Sequence, residues 1–170
     1  MTQTQPWLRP ARPGDEPLLA ALLAGLSPAS AFHRFMAGLG GPKPALVRAL
    51  LREGPTRGAW LALERTADGA ERAVGHACWS VDARGVGDIG VVVVDDAQGR
   101  GTGGALFEAA AQSAAAAGAG AVHLDVHPDN RRVATILRRR FGGRALAWDQ
   151  GLLTVDLPMP AVLHAPLAVA

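Results

Sequence analysis

The chain contains no tyrosine, a single cysteine (Cys78), a single lysine (Lys43), and aromatic residues at only 5% of its positions. The absence of tyrosine removes the phenol as a proton donor. One cysteine excludes an internal disulfide and fits a reducing compartment. No histidine-plus-carboxylate pair accompanies Cys78 in sequence, so it reads as a buried strand residue. The formal net charge is only +2, and no basic block with interleaved aromatics occurs, which speaks against nucleic acid as a partner. The apolar run at residues 18–26 is too short for a membrane span and is bracketed by Asp15, Glu16 and Ser27. The first 16 residues carry no apolar signal core, so the expected location is the cytoplasm.

What is present is glycine, arginine and apolar aliphatic residues. At 170 residues and 19% charged, one globular domain with a sizeable core is expected. The most informative segment runs VVVVDDAQGRGTGGAL from Val91 to Leu106. Four consecutive valines predict a strand buried on both faces. The glycines Gly99, Gly101, Gly103 and Gly104 predict backbone that turns its N–H groups toward something close. The alanine- and leucine-rich continuation sets those N–H groups at a helix N-terminus, where an anion is favoured. Strand, glycine loop and helix form a phosphate-binding device.

Two motifs fit these glycines. Gly99, Gly101 and Gly104 satisfy G-x-G-x-x-G, with Asp125 downstream as a dinucleotide site would require. Gln98, Gly101 and Gly103 equally satisfy Q-x-x-G-x-G. Position separates them, because Asp95, Asp96, Ala97 and Gln98 stand between the strand and the first glycine, and nearly ninety residues of different character precede the unit.

Elsewhere, residues 7–12 read as a first strand. Asp15 is placed to cap a helix whose face is Leu18, Leu19, Leu22, Leu23 and Leu26. Ser27 and Pro28 open a second helix that carries Phe32, Phe35, Met36 and Leu39. A short helix over 45–52 precedes strands over 58–65, 72–82 and 88–94, a helix over 102–117, and a strand over 121–126. Asn130 then caps a helix through Phe141, and 144–157 suits a hairpin turning at 149–151. This order predicts a mixed α/β sheet of six to seven strands with helices on both sides, not a doubly wound fold. Residues 1–157 form the expected domain, and the apolar, proline-rich 158–170 is expected as an extended arm on the surface or on a second copy in a homodimer.

The Q-x-x-G-x-G loop, together with Asn130 opening the next helix, resembles the GCN5-related N-acetyltransferases. Leu26, Ser27, Ser30, Arg34 and Phe35 resemble the L-S-x-x-S-x-x-R-F pattern of bacterial protein-lysine acetyltransferase domains, with Ser30 and Arg34 one residue further apart. The resemblance implies a sheet splayed beside 121–126, with acetyl-CoA in the gap. It implies that Val91, Val92 and Val93 bond the pantetheine arm. It also implies that Gln98, Gly99, Arg100, Gly101, Thr102, Gly103 and Gly104 hold the pyrophosphate, with Asn130 beside them.

Asp88 stands ten residues before Gln98, where the resembling domains commonly carry a glutamate base. It is therefore expected to deprotonate the amine acceptor, with a water relay favoured by the shorter side chain. Leu137 occupies the place where many relatives have a tyrosine acid, so water protonates the thiolate or it leaves unaided. His33 and Arg34 are expected to border the acceptor entrance. His123 and His127 share one strand face, and no third ligand accompanies them, so no metal site is expected. Trp60, Trp79 and Trp148 are expected in the core. The implied activity is transfer of acetyl from acetyl-CoA to a primary amine, of a small molecule or a protein lysine. Two other readings stand beside it: a non-catalytic acyl-CoA-binding module and a nucleotide-dependent oxidoreductase.

Overall fold

The computed structural model describes residues 6–142 and 146–164. Seven strands form one mixed sheet in the order β1-β2-β3-β4-β5-β7-β6. They are β1 (Trp7–Pro10), β2 (Arg57–Arg65), β3 (Glu71–Val81), β4 (Val86–Val93), β5 (Ala121–Val126), β6 (Leu146–Asp149) and β7 (Leu152–Pro158). All neighbours are antiparallel except β4 and β5. That single parallel pair, joined through a helix, rules out the doubly wound alternative.

Helices α1 (Glu16–Ala24), α2 (Pro28–Phe35) and α3 (Pro44–Leu50) lead into the sheet, and α4 (Thr102–Ala116), α5 (Arg131–Phe141) and α6 (Met159–His164) follow it. Helix α4 packs across β2, β3 and β4, whereas α1 packs on β3 and α2 on β4. Strand parity assigns the faces. Val93 lies under Gly103 of α4 and Gly90 lies under Arg34 of α2, so odd and even positions of β4 look to opposite sides. On β5, Val122, Leu124 and Val126 are buried. His123 and Asp125 occupy the other face.

Helix boundaries follow local chemistry with two departures from expectation. Ser27 caps α2 as predicted, accepting from the Ser30 N–H, but Met36 adopts a left-handed φ of 53° and ends the helix there. Asp15 makes no side-chain cap to α1. Its carboxylate instead accepts from the Arg9 guanidinium at 2.7 and 2.8 Å and from the Arg12 N–H, which holds it below the usual carboxylate range.

Two further expectations are corrected. Trp148 is 68% exposed on the edge strand β6, outside the core. Trp60 and Trp79 do pack against it. The segment after residue 158 is not an extended arm over its described part: Met159 and Val162 of α6 are buried, and the Met159 N–H bonds the Gly120 carbonyl. Arg144 of the expected hairpin and residues 165–170 lie outside the described residues. Among the described residues no single helix is long and apolar enough to cross a membrane.

His76 of β3 is 1% exposed. Its Nε2 meets the Leu50 carbonyl at 3.2 Å, and its Nδ1 has no partner. Burial, with the Arg34 charge adding to it, pushes its pKa down to about 4. The folded state therefore binds this proton only at lower pH than the unfolded chain. Its contribution is complete above about pH 6.5 and falls as pH drops toward 4, by up to about 3 kcal/mol. Melting temperature should decline through that window in the native protein and decline less steeply in His76→Leu. Parallel curves would show that His76 is not the group responsible.

Candidate functional site

The parallel pairing of β4 with β5 covers only Val86–Ala121, Gly87–Val122 and Asp88–His123. Above it, β4 remains paired with β3 as far as Val93, and β5 stays with β7 through Val126. The two strands thus open into a V whose vertex is Asp88 and His123. The Val94 N–H bonds the Val74 carbonyl. By alternation, Val92 also turns its main chain to β3, whereas Ile89, Val91 and Val93 turn theirs into the V. Of the three valines expected to bond the pantetheine arm, Val91 and Val93 thus face the V and Val92 faces β3.

The glycine loop lies at the mouth of the V. Gly99 and Gly101 take φ of 82° and 81°, values a side chain with a Cβ adopts only at a cost. Among the described residues no acceptor is bonded to the N–H groups of residues 99–104. The Thr102 hydroxyl, buried at the first position of α4, has no partner. Both carboxylates before the loop turn away from it. Asp95 accepts from the Ser27 N–H and hydroxyl and from the Ser30 hydroxyl, while Asp96 pairs with Arg72 at 2.9 Å. Open donors at a helix N-terminus with no carboxylate facing them suit a phosphate-bearing ligand.

One arginine within the loop and one beside it have different partners. Arg100 pairs with Glu64 at 3.3 Å and donates to the Asp96 carbonyl. Arg132, which no motif marks, brings its Nη1 to 3.5 Å from Gln98 Oε1 and lies beside Gly99. The only sequence signal for it was its place two residues after the helix cap Asn130, whose side chain accepts from the Val133 N–H. The Gln98 amide meanwhile donates to the Val93 carbonyl at 3.0 Å and to the Ser30 hydroxyl.

On the face away from α4, Asp88 lines an open groove of about 670 Å³ with Arg57, Ser80, Arg84, His123 and Asp156. His123 is held at 2.7 Å by Asp156 and at 3.2 Å by Asp125. The Asp156 hydrogen bond raises its pKa; burial opposes the rise, and the Asp125 and Asp156 charges reinforce it. Higher in the V, the Phe32 ring meets His127 edge-on at 4.8 Å, with His33 6.2 Å from His127. Helix α2 and the end of β5 therefore meet over this face. Leu137 is buried, so α5 directs no polar group from that position.

A mixed seven-stranded sheet, splayed at its one parallel pair and carrying a glycine loop at the opening, defines the class of acyltransferases built on this fold. The chain belongs to the acetyltransferase (GNAT) family, whose sequence pattern matches residues 30–142. Solved structures share the fold at low identity. The GNAT domain of S. lividans PAT is 20% identical with a TM-score of 0.75, over 90% of each chain. A GNAT superfamily phosphinothricin acetyltransferase from Sinorhizobium meliloti, solved with AcCoA, is 16% identical with a TM-score of 0.67, over 91% of this chain and 89% of that one. A cAMP-binding acyltransferase from Mycobacterium smegmatis is 23% identical with a TM-score of 0.54, over 94% of this chain and 52% of that one. No curated protein matches the chain in sequence.

The loop makes a direct prediction. A Cβ at a left-handed position costs about 1–2 kcal/mol, so Gly99→Ala or Gly101→Ala should distort the donors and weaken CoA binding about tenfold by calorimetry. Gly118→Ala, also at positive φ (96°) but beyond the far end of α4, should leave CoA affinity unchanged. Equal affinity in all three variants would detach the loop from the ligand.

Proposed function

We propose that the protein transfers the acetyl group of acetyl-CoA to a primary amine, of a small molecule or a protein lysine, in the V between β4 and β5. One observation carries this reading: β4 leaves β5 at Asp88 while the loop above it keeps its N–H donors open. The residues present suit the donor. The N–H groups of residues 99–104 would bond the pyrophosphate, with Gln98, Arg132 and Asn130 flanking them. The main-chain groups of Val91 and the N–H of Val93, whose carbonyl accepts from Gln98, would bond an extended arm as an added strand does. When bound, acetyl-CoA supplies an activated acyl carbon and a thiolate leaving group.

The chain's own residues then have separable tasks. Asp88, at the vertex and exposed to the groove, takes the proton from the incoming ammonium, directly or through water. An N–H of β4 facing the V polarises the acyl carbonyl. No side chain is assigned as acid, because Leu137 is apolar; a thiolate with a pKa near that of cysteine, about 8.5, leaves without one near neutral pH. The expected setting is cytoplasmic, with one catalytic domain whose core takes in Met159 and Val162 of α6.

A second reading, a non-catalytic acyl-CoA-binding module, is favoured by the missing acid and by the shorter carboxylate at Asp88. Calorimetry with acetyl-CoA and NAD, followed by thiol release with an amine panel, separates the readings. We expect acetyl-CoA binding, no NAD binding, and CoA release that depends on an amine. Tight binding without turnover would favour the module, and NAD binding in place of CoA would overturn both. Within the catalytic reading, Asp88→Asn should lower kcat/KM by about a hundredfold or more and remove the acid limb of its pH profile. Full activity of that variant at every pH would remove Asp88 as the base.

A further inference from the structure

Arg34 departs from the pairing that the other sheltered arginines among the described residues make. The other sheltered arginines meet carboxylates: Arg9 meets Asp15 at 2.7 Å, Arg100 meets Glu64 at 3.3 Å and Arg140 meets Glu108 at 3.8 Å. Among the described residues no carboxylate lies within 4.0 Å of Arg34. Its one hydrogen bond runs from Nη2 to Cys78 Sγ at 3.1 Å, a weak acceptor. Its Nε is buried without any partner. The Phe35 ring, 5.1 Å from the guanidinium carbon, adds only a stacking contact. A partly buried charge without an anion is costly, and proteins rarely keep one for packing.

The fold also clears space for it. The guanidinium lies flat on β4 at Gly90, where a Cβ would come within 2.1 Å of Nη2 and 2.3 Å of Cζ. An alkyl side chain would pack against that strand at less cost. Gly90 follows Asp88 by two residues, so both lie on the same face of β4, about 7 Å apart along the strand. Asp88 is an anion that opens on the groove, and Arg34 is a cation without an anion. The uncompensated charge is felt next door, where it helps to depress His76.

We propose that the acceptor is a small zwitterion: a primary amine that presents its nitrogen to Asp88 and carries a carboxylate a few bonds away, which Arg34 binds. This rests on the acyl-transfer reading above and narrows its acceptor class to amino acids. A polyamine has no anion for Arg34. A lysine side chain within a protein has none at that spacing.

The test pairs glycine, β-alanine and 4-aminobutyrate with their carboxamides as acceptors for the native protein, Arg34→Met, Arg34→Lys and Gly90→Ala. In Gly90→Ala the new Cβ displaces the guanidinium while the charge remains in the chain. The native protein should favour at least one acid over its amide by about tenfold or more in kcat/KM, the scale of a charge-assisted hydrogen bond. Arg34→Met and Gly90→Ala should erase that preference through KM for the acid, with kcat and the amide little changed, and Arg34→Lys should restore part of it. Calorimetric titration of the favoured acid into CoA-loaded protein gives a readout without turnover, and Arg34→Met should weaken it about tenfold. Equal use of acids and amides, preference for diamines or lysine peptides, or an Arg34→Met effect on CoA affinity instead of the acid would overturn the proposal. If no amine is acetylated, the acyl-transfer reading fails. The titration then decides Arg34 alone: binding lost in Arg34→Met supports its role, and no binding to the native protein overturns it.

Discussion

The arrangement depends on the divided pairing of one strand. β4 keeps its full ladder with β3 as far as Val93 but leaves β5 after Asp88. A strand inside a sheet normally satisfies both edges, and an open one invites an extended partner. β5 is not free to follow β4, because β7 pairs with it along its whole length from Ala121 to Val126. The V is therefore held open from both sides. Its main-chain groups at Ile89, Val91 and Val93 are the consequence, and so is the placing of Asp88 and His123 at the closed end.

The acidic residues around the opening keep it electrostatically usable. Two carboxylates directly before a phosphate-binding loop would repel its ligand if they faced it. Asp95 is turned onto the N-terminus of α2, where Ser27 and Ser30 surround it. Burial works against its charge, and those three hydrogen bonds more than offset this, leaving its pKa lowered. Asp96 is turned onto Arg72. The same bonds that remove Asp95 from the loop fix α2 to the end of β4, which sets Arg34 above Gly90 and Phe32 against His127. Loop electrostatics and the roof of the cleft are thus one construction.

Much of this was legible in the sequence where local chemistry decides the structure. The valine run, the glycine loop, the Ser27 and Asn130 caps and the hairpin turn at 149–151 all rest on backbone preferences that need no distant partner. The misreadings have the opposite character. Asp15 looked like a helix cap because nothing local revealed Arg9 reaching it. Nothing local revealed that Glu64, 36 residues away in sequence, would meet Arg100. Trp148 looked buried because it lies on a strand, but that strand is the sheet edge, and edge position depends on the order of strands. Met159 and Val162 looked like part of a trailing arm because a six-residue helix has little intrinsic signal; packing near Gly120 creates it. Arg132 was obscured by the general excess of arginine.

The two halves of the cleft are built from different materials. The loop and β4 offer main-chain donors, which depend on glycine conformations and strand geometry and tolerate change in most side chains. This agrees with a fold shared at 16–23% identity with the structures compared. The opposite face offers side chains: Asp88 and His123 from adjacent strands, and Arg34, Phe32 and His33 from α2. A site whose recognition is main-chain on one side and side-chain on the other can keep its donor while its acceptor changes. On the proposed reading acceptor identity is written in the few polar groups of that opposite face, and Arg34, sheltered and with no carboxylate within 4.0 Å among the described residues, is one of them.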